Sequence, residues 1–139
     1  MIYADTSLLL PCYVPEEQSI QAQRIIETAD GIAVSDLTIV EFYVGLARKV
    51  RTGTLNVVQM EESRSFFDAH LSQGLYRRVA LSSDHVAAVR AFCVESKIPL
   101  RTLDALHLAA ALDLGAVVAT FDRRLAEASR EHGLEVVPD

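Results

Sequence analysis

The chain has 139 residues, half of them apolar, no tryptophan and a net charge of −6. That length suits a single domain, 1–139, with one real core. The charge argues against a protein that holds nucleic acid through a broadly basic surface, and no run approaches the roughly 20 apolar residues of a membrane span. In chain order, "MIYA" reads as a first strand, and "LLLPCYVPEEQSIQAQRIIETA" as a short helical turn followed, after Pro15, by a helix with Ile20, Ile25 and Ile26 on one side. "GIAVS" is a second strand and "DLTIVEFYVGLARKVRTG" the helix after it. "TLNVVQMEESRSFFDAHLSQG" is another helix, with Val57, Met60, Phe67 and Leu71 as its buried stripe. "YRRVALS" gives a third strand, and "SDHVAAVRAFCVESK" a helix capped by Ser82 or Ser83. "TLDALHLAAALDLG" is a helix closed by Gly115, with Leu103, Leu106, Ala110 and Leu114 on one stripe and Asp104, His107 and Ala111 on the next. "AVVAT" is strand four, "DRRLAEASREHG" a helix closed by Gly133, and "LEVVP" strand five.

Short apolar strands alternating with helices predict an α/β fold, a three-layer α/β/α sandwich around a mostly parallel five-stranded sheet. The N-terminal residues lack a basic lead, and Asp5 and Pro11 interrupt their apolar run. They do not read as a signal peptide, and a cytoplasmic chain is expected. Cys12 and Cys93 have no metal-ligand spacing and are expected as reduced thiols packed like small hydrophobes.

Ligands of such sheets collect at the carboxyl ends of the strands. Asp5 ends strand one, Glu41 follows strand two, Asp104 opens a helix and Asp122 follows strand four. Each has an ordinary reading. Asp5 and Asp122 suit helix N-caps, Thr38 with Glu41 matches a capping box, and Asp104 suits a helix dipole. Together, however, four carboxylates at one sheet edge repel one another and must take up protons or find a cation. Oxygen ligands of this kind suit magnesium or manganese, which keep several waters and need one or two direct carboxylates. His107, on the helix of Asp104, could face the same edge. Its plainer reading is a packed helix histidine.

The stretches "YADTSLLL", "LTIVEFYVGL" and "RTLDALHLAAALDLGAVVATFDRRL" resemble the PIN domain, and within it the toxins of VapBC-type toxin–antitoxin pairs. The motifs run from Asp5 to Asp122, with "DALHLAAA", a strand and "TFD" as the most specific part. The resemblance implies a Mg2+-dependent (or Mn2+-dependent) endoribonuclease whose four acids are Asp5, Glu41, Asp104 and Asp122. Thr6, Ser7 and Thr120 match its supporting hydroxyl positions. It also implies an RNA substrate cut to a 3'-hydroxyl and a 5'-phosphate, a cognate antitoxin protein, and a homodimer. Arg123 and Arg124, beside the last acid, are candidates for holding RNA phosphates. Phe42, Tyr43, Phe66 and Phe67 could include residues that line a groove for a partner helix. A haloacid-dehalogenase-type phosphohydrolase would need an acid at Ser7. The remaining alternative is a catalytically silent module of the same fold that binds RNA or protein.

Overall fold

The computed structural model describes residues 1–139. Its strands are β1 (Ile2–Ala4), β2 (Ile32–Ser35), β3 (Tyr76–Val79), β4 (Val117–Ala119) and β5 (Val136–Val137). All pair in parallel, in the order β3-β2-β1-β4-β5. The helices are α1 (Thr6–Leu9), continued by a 3₁₀ turn (Leu10–Cys12), then α2 (Ser19–Thr28), α3 (Asp36–Arg51), α4 (Val57–Ser72), α5 (Ser83–Glu95), α6 (Thr102–Leu114) and α7 (Arg123–Glu131).

The period of two along a strand sorts the core into two layers. Ile2 and Ala4 of β1, with Ile32 and Val34 of β2, join Leu8, Phe42, Leu46 and Phe67 on one face of the sheet. Tyr3 and Ala33 point the other way and join Leu108, Leu125 and Ala128. Thus α1 to α4 cover one face and α5 to α7 the other, the three-layer arrangement expected from sequence. Because both faces are covered, β1 and β2 are buried at every residue. The edge strand β3 buries Tyr76 but exposes Arg77 and Arg78, a charged rim that discourages further strand pairing. No helix is long and apolar enough to cross a membrane.

Several local expectations change. In α2 it is Ala22 that is buried, while Ile20, two residues away and so across the helix, is exposed. In α4, Ser63 and Phe67 are buried and Val57, the first residue, is exposed. In α6 every residue from Asp104 to Ala111 except Leu106 is buried, so the helix is enclosed nearly all round, and Leu103 is exposed. Of the leucines expected on its buried stripe, Leu106 is half-buried and Leu114 packs partly buried against the core. Gly115 closes α6 at a φ of 59°, where a side chain would be strained. Cys93 is exposed and Cys12 half-buried. Of the aromatic residues on α3 and α4, Phe42 and Phe67 belong to the core and Phe66 is exposed.

Candidate functional site

Every strand of a parallel sheet ends at the same edge, so the turns after β1, β2 and β4 meet there. Asp5 follows β1 directly and N-caps α1, its Oδ1 accepting from the Leu8 N–H at 3.2 Å. The side chain is buried, and both of its oxygens accept hydrogen bonds. Ser7 Oγ donates to it at 2.8 Å and Thr120 Oγ1 donates to its Oδ2, also at 2.8 Å. Thr120, just past β4, in turn accepts the Asp122 N–H at 2.9 Å, and Ser7 accepts the Phe121 N–H at 2.9 Å. These hydroxyls stitch the β1 and β4 turns together around one carboxylate. Burial dominates its acidity and pushes the Asp5 carboxyl up to about 6, against the pull of His107, Ser7, Thr120 and the Leu8 amide.

Asp122 is the N-cap of α7 and accepts from the Arg124 and Leu125 amides at 2.8 and 3.2 Å. Both bonds go to Oδ1. Asp104 lies in the first turn of α6, buried, and its Oδ2 has no hydrogen-bond partner. Burial and then the charge of neighbouring Asp122 hold its carboxyl above the usual carboxylate range, while His107 and Arg101 act in the opposite sense. An acceptor stranded in this way is costly unless something else satisfies it.

Glu41 does not take part in a capping box. Ser35, at the end of β2, is the N-cap of α3 and takes the Thr38 N–H at 3.2 Å, which leaves Glu41 on the second turn. There its Oε1 accepts from Thr6 Oγ1 at 3.3 Å and from His107 Nε2 at 2.5 Å. His107 is buried, and its Nδ1 lies 2.6 Å from the hydroxyl of Tyr3, which is 2.8 Å from Ser35 Oγ. Sequence reasoning left His107 between two readings and passed over Tyr3 and Ser35. A signal was available: a tyrosine inside a buried strand must find a partner for its hydroxyl.

The hydroxyl and imidazole bonds therefore join Asp5 to Thr120, Asp122 and Ser7, and Glu41 to Thr6, His107 and Tyr3. Asp104 is linked to Asp122 and His107 by charge rather than by a bond. No three histidine, cysteine, aspartate or glutamate side chains form a ready-made metal cage. A hard cation does not require one, since one or two carboxylates and several waters suffice. The stranded Asp104 oxygen beside a second acid suits such an ion, which would relieve both the unmet acceptor and the repulsion.

Arg123 and Arg124 stand exposed at the start of α7, Arg123 making only a 3.9 Å approach to Glu127. Arg78 pairs with Asp36 at 3.2 Å, and Lys49 with Glu16. Beside Glu41, a surface groove of about 430 Å³ runs past Thr6, Ser7, Val40, Val44 and Leu103.

The family model for the PIN domain matches residues 2–131. "Ribonuclease VapC3" of Pyrobaculum aerophilum is 32% identical over 130 residues, covering 91% of this chain and 92% of that protein. Among solved structures, the Mycobacterium tuberculosis toxin VapC20, described as cleaving the sarcin-ricin loop, superposes with a TM-score of 0.72 at 16% identity, covering 92% of this chain and 95% of its own. VapBC2 from Rickettsia felis, bound to a DNA fragment from its promoter, gives 0.68 at 16% identity, covering 98% and 97%. With the motif order, the parallel sheet and the acids at its carboxyl edge all in agreement, the chain belongs to the PIN-domain family, alongside its VapC members.

Proposed function

We propose that this chain is a divalent-metal-dependent endoribonuclease, the toxin of a toxin–antitoxin pair. The observation that carries the reading is the buried, unpartnered Oδ2 of Asp104 beside Asp122, at the edge where Asp5 is also held. Asp5, Asp104 and Asp122 would hold Mg2+ or Mn2+, with Glu41 acting on a water or completing the site. A bound ion of this kind supplies polarisation of the phosphodiester and a water acidic enough to attack it. The chain's own residues do the rest. Ser7 and Thr120 fix the Asp5 carboxylate so that it need not reorganise, and Glu41 can take a proton from the attacking water. Arg123 and Arg124, exposed beside Asp122, are suited to hold backbone phosphates. The products expected are a 3'-hydroxyl and a 5'-phosphate.

The proposal extends to partners and place: RNA as substrate, a cognate antitoxin, assembly as a homodimer, and the cytoplasm as compartment. Solved relatives such as the VapBC2 complex support the antitoxin. The test is cleavage of a mixed RNA pool by the purified chain with Mg2+, with Mn2+ and with EDTA, alongside Asp104→Asn. Cleavage that needs metal and disappears in the folded variant is the expected result. Metal-independent cleavage, or full activity in Asp104→Asn, would overturn the reading. A folded chain that neither cuts RNA nor responds to metal would instead be the silent module.

A further inference from the structure

We infer that Tyr3 and His107 are positioning residues for Glu41, anchoring one of its carboxylate oxygens to the centre of the sheet so that the other is presented to the site. The inference rests on the nuclease reading and adds to it two residues outside the four acids.

The direction of the hydrogen bonds carries it. A carboxylate only accepts, so His107 must bring a hydrogen on Nε2 to Glu41 Oε1 at 2.5 Å. In the neutral ring, Nδ1 is then an acceptor and can be satisfied by a donor such as the Tyr3 hydroxyl at 2.6 Å. Tyr3, having given its one hydrogen to His107, accepts from Ser35 Oγ at 2.8 Å. Ser35 is itself fixed by the Thr38 amide, and Thr38 Oγ1 donates to the Ala4 carbonyl at 3.2 Å. Each hydroxyl in the row donates once, and the row ends on the β1 backbone. Tyr3 is fully buried in the central strand, so the row has a rigid origin.

Its effect on Glu41 is asymmetric. Both donors, Thr6 and His107, reach Oε1, and Oε2 receives no hydrogen bond from the chain. Glu41 is half-buried on the second turn of α3, where an unrestrained side chain would sample several rotamers. Held by Oε1, it keeps Oε2 available for an ion or a water. Partners of this kind, one step removed from the ligand, typically matter about 10- to 100-fold in activity.

The test uses Tyr3→Phe, which keeps the ring and removes the hydroxyl, with His107→Gln and His107→Leu as an independent pair. Gln keeps an N–H that can reach Glu41, and Leu does not. Expected is a fall in kcat of about 10- to 100-fold in Tyr3→Phe and His107→Leu, with KM for RNA unchanged and most of kcat restored in His107→Gln. Ring ¹⁵N NMR of the metal-free chain should show His107 as the Nε2–H tautomer, mixing with the other form in Tyr3→Phe. An Nδ1–H tautomer in the unmodified chain would overturn the inference, as would folded Tyr3→Phe with unchanged kcat. So would equal kcat in the Gln and Leu variants. An unmodified chain that cuts no RNA defeats the nuclease reading instead, and the NMR result still decides the hydrogen-bonded row.

Discussion

Asp5 shows how one residue can serve the fold and the site at once. It caps α1, as its plain reading requires, yet its burial pushes the carboxyl from 3.8 up to about 6. The folded metal-free chain therefore binds this proton more tightly than the unfolded chain does. Below pH 3.8 both states are protonated and Asp5 costs nothing. As pH rises through about 6 the folded state loses roughly 3 kcal/mol from this residue. Metal-free Asp5→Asn should consequently be more stable than the unmodified chain at pH 7, and the difference should vanish near pH 4. Urea unfolding with EDTA across that range checks this; a constant difference would contradict it. The same neutral side chain should abolish cleavage, because stability and function pull in opposite directions at this position.

At the scale of elements, α6 is the piece that brings the third acid and His107 to the sheet. Its buried surface mixes large and small residues, with Leu108, Ala110 and Ala111 fully buried in the core layer that also holds Tyr3 and Val118. A close-packed layer of this kind leaves no room for added side-chain volume at the alanines. Ala110→Leu should cost about 1–3 kcal/mol by overpacking. It should also lower activity by moving Asp104 and His107, while Ala→Leu at an exposed α5 position such as Ala87 should do neither. Chemical denaturation with parallel RNA cleavage reads both effects. Leu103 is exposed although fully buried Ala110 shares its stripe, because Leu103 lies in the first turn, at the end of the helix.

For the whole molecule, the parallel sheet gathers acids from distant parts of the chain at one edge and gives the folded state something an unfolded chain lacks. A cation bound only by the folded form should raise its stability, by roughly 2.7 kcal/mol at a hundredfold excess over the dissociation constant. Thermal melts with and without Mg2+ or Mn2+ should show an increase in Tm that is absent in Asp104→Asn. Equal shifts in both proteins would move the ion elsewhere.

The sequence by itself determined the fold class and the order of strands and helices, and it singled out the four acids proposed for the site. Alternating short apolar runs and helical patterns leave few ways to bury both faces of a sheet, and motifs such as "DALHLAAA" are local. It also determined the caps at Asp5 and Asp122, whose donors lie within three residues. Only the tertiary structure decided which face of α2 turns inward, that α6 is enclosed nearly all round, that Ser35 rather than Thr38 caps α3, and that Glu41 is held by His107, 66 residues away. Those outcomes depend on packing and on bonds between residues far apart in the chain, and a pattern read along a single strand or helix carries no record of them.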